Sequence, residues 1–225
     1  MAPSHTVTAD VTHRKPSAAI NPWLPSPSGE PDEPAGAQPP AVLVPPPASG
    51  PTAPQAGVPA PDRGDRLPRR DVAVTARLWW VGAHGGAGES TLAALLPQSR
   101  AAGHAWPVAS APVRAVLVAR TTMRGLRAAQ VAAADWASGG VAGVELLGLV
   151  LIADAPTNLS RPLRELATVV AGGVPRVWRV PWHEPWRAGA DPGQSSPRQA
   201  RRLVDDLRAL TPDPRSQGGP PCPAC

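Results

Sequence analysis

The chain has 225 residues, a formal net charge of +5 and 32 prolines, and all eight of its aromatic residues are tryptophan. No apolar run reaches the length of about eighteen residues that a membrane-spanning helix needs, and residues 1–6 lack the pattern of a signal peptide, so we expect neither. Both cysteines fall in the last four residues and cannot crosslink a fold, which favours a reducing cytoplasm.

Residues 1–76 are rich in proline, alanine, serine and glycine and poor in large apolar side chains. Such a segment buries too little apolar surface to offset its chain entropy, so we expect a long disordered Pro-rich arm. Pro45–Pro47 favours the polyproline II conformation. Asn21–Leu24 is a candidate docking motif within the arm, and a plain solvated tail is the simpler alternative.

Residues 77–190 contain short apolar runs that alternate with segments of helical periodicity. The apolar runs predict strands at 77–81, 113–119, 145–153 and 176–180. The periodic segments predict helices that begin near Ser90 and that span 123–137 and 162–170. Strands that are apolar throughout and alternate with helices indicate an α/β domain with a short parallel sheet and flanking helices.

Residues 191–225 predict one further helix and a disordered tail. Ser196 is the expected N-cap and Pro197 the expected first helical residue, and apolar residues recur at helical spacing from Ala200 to Leu210. Cys222 and Cys225 have the spacing of a redox motif but no predicted helix beside them. Half of a shared zinc site and an unstructured tail both remain alternatives for these cysteines.

A glycine-rich turn joins the first predicted strand to the first predicted helix, and this context suits a loop whose backbone N–H groups bind phosphate. The segment resembles the phosphate-binding loop of the MinD/ParA-like P-loop ATPases, Lys-Gly-Gly-x-Gly-Lys-Ser/Thr-Thr, and weaker similarity covers residues 77–187. The resemblance implies a P-loop NTPase-like fold. The loop positions are His84, Gly85, Gly86, Ala87, Gly88, Glu89, Ser90 and Thr91.

Two departures from that family argue against catalysis. The lysines of the family pattern are replaced by His84 and Glu89. Beside a phosphate at about 4 Å, the exchange of a cation for an anion turns an attraction of about 4 kcal/mol into a similar repulsion, at an effective dielectric of about 20. In addition, Arg120 stands at the strand end where the family's metal-binding carboxylate is expected.

We therefore expect no catalytic residue, no metal and no cofactor, with weak ATP or GTP binding left open. A slow NTPase in which Arg120 or Arg124 replaces the lysine is the enzyme alternative. Glu89 has two candidate roles: an acid in the first turn stabilises the helix, or its carboxylate, or the Ser90 hydroxyl, occupies the loop N–H groups as an internal phosphate mimic.

A second unusual segment, residues 176–187, combines three tryptophans with three arginines. Stacking surfaces beside cations could hold single-stranded nucleic acid or a Pro-rich peptide such as the chain's own tail. The alternative is that the first tryptophan fills the sheet core and the other two cover its rim. His183 and Glu184 lack a second histidine at ligand spacing, so no metal site is predicted there. The candidate partner-binding residues are Arg176, Trp178, Arg179, Trp182, Trp186 and Arg187.

The sequence thus favours a catalytically inactive MinD/ParA-like binding or scaffold protein with an unidentified protein partner. The setting comes from the resemblance alone, which implies a bacterial partitioning, plasmid-transfer or secretion-related assembly. Nucleic acid is a second candidate partner, although the net charge of residues 77–190 is only modestly positive.

Overall fold

The computed structural model describes residues 44–73 and 75–212. All of them belong to the second of the two units into which the chain divides, Val42–Cys225. The candidate motif Asn21–Leu24 and the two cysteines, Cys222 and Cys225, lie outside the described residues, as do the first 43 residues of the predicted arm.

Strands and helices alternate along most of the described chain. The strands are β1 (Arg69–Asp71), β2 (Leu78–Gly82), β3 (Ser99–Gly103), β4 (Trp106–Val108), β5 (Val113–Arg120), β6 (Val144–Ile152) and β7 (Val177–Val180). The helices are α1 (Glu89–Ala93), α2 (Met123–Ala137), α3 (Arg161–Gly172), α4 (Glu184–Arg187) and α5 (Arg198–Leu210).

Five strands form a parallel sheet in the order β3-β2-β5-β6-β7, and β1 pairs with β4 in a separate parallel ribbon. Side chains of β5 alternate between two apolar clusters: Leu117 packs with α2 and α3 on one face, and Val118 packs with α1 and α5 on the other. Both faces are therefore covered, which explains why the central strands are apolar throughout. The predicted α/β fold with a parallel sheet and flanking helices is confirmed.

The four predicted strands agree with β2, β5, β6 and β7 to within one residue at each end, and the helix predicted at 123–137 is α2. The predicted N-cap of the last helix is wrong. Helix α5 begins at Arg198 with Pro197 as its N-cap, and the Ser196 hydroxyl donates instead to the carbonyl of Pro192. The ψ of 151° at Pro197 places that residue outside the helix, so the helix begins one residue later than the sequence suggests.

The prediction of a disordered arm as far as residue 76 is wrong for residues 44–73, because this segment packs against the domain. Ser49 N donates to Pro175 O at 2.9 Å, and Gln55 N donates to Ala137 O at 2.8 Å. Val58 and Leu67 are partly buried against the cluster beneath α2 and α3. A few widely spaced anchors therefore hold a segment whose average composition is that of a solvated chain.

This N-terminal segment touches the surroundings of both outer strands of the sheet. Arg176, immediately before β7, donates from Nε to Pro46 O at 2.8 Å. At the opposite edge, Arg70 Nη1 donates to the carbonyl oxygen of Ala102 in β3 at 3.4 Å. The first residue of the tryptophan- and arginine-rich segment thus contacts the proline run of the same chain.

Candidate functional site

The strand order places a candidate site at the carboxyl end of the sheet. The chain runs from β2 outward to β3 and then returns to β5 on the other side of β2, so the order reverses between β2 and β5. In doubly wound sheets, ligands bind outside the carboxyl ends of the strands at this point of reversal. The glycine-rich loop follows β2 there, and Arg120 ends β5.

Two glycines give the loop its shape. Gly86 and Gly88 have φ angles of 72° and 104°, in the left-handed region that suits glycine. Ala87 N donates to His84 O at 3.2 Å and closes the turn, and Gly88 is the N-cap of α1. Helix α1 has only five residues, so it presents a single turn to this edge of the sheet.

The side chain of Glu89 folds back towards the end of β2. Its residue is 8% exposed, and its Oε2 accepts a hydrogen bond from Gly88 N at 3.1 Å. Oε1 lies 3.9 Å from Nδ1 of His104, and a Cβ placed at Gly82 would lie 2.9 Å from Oε2. A carboxylate therefore takes one backbone N–H of the loop, and the role of internal phosphate mimic stays a prediction.

His84 and Arg120 tie the loop to the neighbouring strand ends. The His84 ring accepts from Arg120 N at Nε2 (3.0 Å), and its Nδ1 lies 2.9 Å from Gly85 O, which assigns the proton to Nδ1. The Arg120 guanidinium donates to Gly86 O at 3.3 Å and to Ala153 O at 3.2 Å. Arg120 thus faces carbonyl oxygens of its own chain.

Three effects act on the pKa of Arg120. Burial lowers this pKa most, the positive charge of Arg187 lowers it further, and the negative charge of Asp154 raises it.

A small cavity of about 30 Å³ separates the loop from residues 181–187, which follow β7. It is lined by Gly88, Thr91, Arg120, Ile152, Pro181, Trp182, His183, Trp186 and Arg187. Such a volume suits one or two water molecules and is far too small for a nucleoside triphosphate.

The three tryptophans of the 176–187 segment are used within the fold. Trp178 is 8% exposed, and its indole N–H donates to Asp206 Oδ2 at 2.9 Å. Trp186 packs partly against the same cluster and donates to Ser195 O. Trp182 donates to Glu184 Oε2 at 2.8 Å. This arrangement agrees with the interpretation for Trp178, which fills the core, and for Trp186, which packs at its rim. The bond of Trp182 to Glu184 is exposed, and the position of Trp182 at the rim stays a prediction.

Two further side chains of this segment pack around the tryptophans. The guanidinium of Arg187 lies 4.8 Å from the centre of the Trp182 ring, so one face of that ring is already occupied. The His183 ring meets Trp186 edge-on at 5.3 Å and hydrogen-bonds Ser195 Oγ at 3.1 Å. The side chain of His183 is therefore held by contacts within residues 181–195.

Sequence reasoning missed a larger cavity of about 680 Å³ at the carboxyl ends of β5, β6 and β7. Among the predicted site residues only Arg179 lines it. The signal in the sequence was the set of polar residues that follow these strands, such as Thr121 and Asp154, since the carboxyl ends of parallel strands meet at one edge. Part of its wall comes from the loop 153–160 between β6 and α3.

Within residues 44–73 and 75–212, no three histidine, cysteine or acidic residues lie close enough together to hold a metal ion. The same residues include no helix that is long and apolar enough to cross a membrane.

Comparison with known proteins identifies one family. The model of a family described as "Family of unknown function (DUF6668)" matches residues 76–204, which is more than half of the chain. No curated protein matches the chain.

Proposed function

The chain belongs to the family of unknown function DUF6668, and we propose that it is a catalytically inactive relative of the MinD/ParA-like P-loop ATPases that acts by binding a protein partner. The proposal rests above all on Glu89, whose carboxylate accepts from Gly88 N at the position where the ATPases carry a phosphate-binding lysine. A scaffold role in a bacterial partitioning, plasmid-transfer or secretion-related assembly follows from the resemblance.

Electrostatics at the loop support the absence of phosphoryl transfer. A phosphate in the loop would meet the Glu89 carboxylate, and that carboxylate has little room to retreat, since Gly82 and His104 lie directly behind it. At about 4 Å and an effective dielectric of about 20, the repulsion is about 4 kcal/mol for each unit of phosphate charge. A repulsion of this size weakens triphosphate binding by roughly three orders of magnitude.

The cation that contacts the loop is Arg120. Two of its N–H donors are bonded to Gly86 O and Ala153 O, so its guanidinium holds the loop against β5 and β6. A guanidinium has five N–H donors, and Nη2 lies 3.9 Å from a Cβ built at Gly88. The enzyme alternative therefore requires that the remaining donors of Arg120 bind a phosphate while the Glu89 carboxylate stays at the loop.

Calorimetric titration of the full chain with ATP and with GTP, each with and without Mg²⁺, tests the proposal. We expect no saturable heat for the unaltered chain and measurable ATP binding for Glu89→Lys. The matched control is Glu165→Lys, which makes the same charge change on the exposed surface of α3 and should leave binding unaltered.

Magnesium-dependent hydrolysis by the unaltered chain that disappears in Gly88→Pro would overturn the proposal in favour of an NTPase. If Glu89→Lys folds but gains no binding, the relationship to the phosphate-binding loop fails as well.

A further inference from the structure

We propose that the cavity of about 680 Å³ at the carboxyl ends of β5, β6 and β7, here called the strand-end cavity, binds a small organic anion with an apolar body. The inference goes beyond the proposed function, since it concerns neither the glycine-rich loop nor the protein partner. It holds whether or not the loop binds nucleotide.

The size and walls of the strand-end cavity fit a small molecule. Ligand pockets of proteins commonly measure about 300–1,000 Å³, and they are mostly apolar with a few polar groups that fix orientation. Leu151 and Val180 line the cavity from the sheet, and Met123 and Leu163 line it from α2 and α3. Met123 is 39% exposed, so the cavity leaves a large apolar side chain accessible to a ligand. Contact with an apolar ligand would remove this surface from water.

Two charged residues line the cavity, Asp154 and Arg179. Asp154 also acts on the guanidinium of Arg120, whose pKa it raises against the larger effect of burial. Arg179 is exposed on β7, and within the described part of the chain its guanidinium has neither an ion-pair nor a hydrogen-bond partner. Its N–H donors are therefore available to an anion in the cavity.

Hydroxyl groups on the wall also suit an anion. Thr121 Oγ1 accepts a hydrogen bond from Asp154 N at 3.3 Å, and Thr122 Oγ1 accepts one from Gly125 N at 3.0 Å. Because each oxygen already accepts from the backbone, each hydroxyl retains its proton as a donor. A carboxylate or sulfonate can use such donors together with the Arg179 guanidinium.

A matched pair of fluorescent probes tests the inference on the full chain. The dye 1-anilinonaphthalene-8-sulfonate carries one negative charge on an aromatic body, and N-phenyl-1-naphthylamine is the same body without the charge. We expect each to bind at one saturable site. Arg179→Gln should weaken binding of the sulfonate about tenfold and that of the neutral dye less than twofold, and Arg179→Lys should restore most of the affinity for the sulfonate.

Two further variants show where the dyes bind. Met123→Gln makes the cavity wall more polar and should weaken both dyes severalfold, whereas Arg100→Gln on the distant strand β3 should affect neither. Octanoate is expected to displace the sulfonate. The inference is overturned if Arg179→Gln affects the two dyes equally, if Met123→Gln changes nothing, or if only the acidic peptide acetyl-Leu-Glu-Leu-amide displaces the dye, because the cavity would then receive a protein side chain.

Discussion

Arg66 places its Nε 3.7 Å from Oδ1 of Asp135, a carboxylate in the last turn of α2. Asp135 is fully buried, and neither carboxylate oxygen has a hydrogen-bond partner among the described residues. A buried charge without compensation is costly, so the guanidinium of Arg66 stabilises α2 as well as the segment that carries it. Residues before β1 therefore contribute to the stability of the folded domain.

Replacement of Arg66 tests this relationship. Removal of one partner leaves the other charge buried, and because Arg66 is itself partly exposed, we expect Arg66→Ala to lower the free energy of unfolding by about 1–3 kcal/mol. Arg63→Ala, an exposed change in the same segment, should cost less than about 0.5 kcal/mol. Urea denaturation measures both. Equal effects of the two variants would show that Asp135 does not depend on Arg66.

Replacement of Gly88 by alanine should lower stability by more than the strain of a positive φ angle alone. Gly57 and Gly88 both have positive φ, 87° and 104°, but a Cβ at Gly57 meets nothing within 4 Å, whereas a Cβ at Gly88 lies 2.8 Å from Ile152 Cδ1. We expect Gly57→Ala to cost about 1 kcal/mol through strain and Gly88→Ala about 1 kcal/mol more through the contact. Thermal unfolding of the two variants would disagree with this if their midpoints coincide.

Arg120 is expected to hold the glycine-rich loop closed. Arg120→Gln loses the bonds to Gly86 O and Ala153 O, and each lost bond contributes about 1 kcal/mol. The backbone amides of residues 84–88 should therefore exchange with solvent about thirtyfold faster. Arg124→Gln, on the exposed surface of α2, is the control. Unchanged exchange in Arg120→Gln would mean that the glycine angles and His84 alone hold the loop.

The tryptophans of the 176–187 segment should contribute unequally to stability. Trp178→Phe removes the hydrogen bond to the part-buried Asp206 and leaves a gap in the core, so we expect a loss of about 2 kcal/mol. Trp182→Phe affects an exposed bond to Glu184 and should cost less than about 0.5 kcal/mol. Chemical denaturation compares the two directly, and a larger loss for Trp182→Phe would reverse our assignment of core and rim.

Sequence patterns predicted an element best where its cap and its apolar spacing both lie within the element itself. Helix α2 has a capping Thr122 and apolar residues at helical spacing, and its predicted bounds are those observed. Strand β3, Ser99–Gly103, was missed because it lies at the sheet edge, and its pattern of buried and exposed residues has no continuous apolar run. The packing of residues 44–73 was missed because it depends on contacts with residues far along the chain, such as Asp135 and Pro175.

The candidate site was predicted only in part for a similar reason. The positions of Gly86 and Gly88 predicted a tight turn between strand and helix, because few other residues adopt their φ angles. The position of residues 181–187 beside the loop and the strand-end cavity both arise where separate segments meet after folding. Neither leaves a local pattern that spacing could reveal.

The contacts of Arg70 with Ala102 and of Arg176 with Pro46 should oppose self-association of the protein. An open row of backbone groups on an outer strand is a template for pairing with another molecule, and this is a common route to aggregation. Here residues that precede the sheet in the chain contact each of its borders: Arg70 bonds Ala102 O of β3, and Pro46 accepts a hydrogen bond from Arg176 next to β7. A shortened protein that begins at β2 would lose both contacts and should precipitate at concentrations that the full chain tolerates.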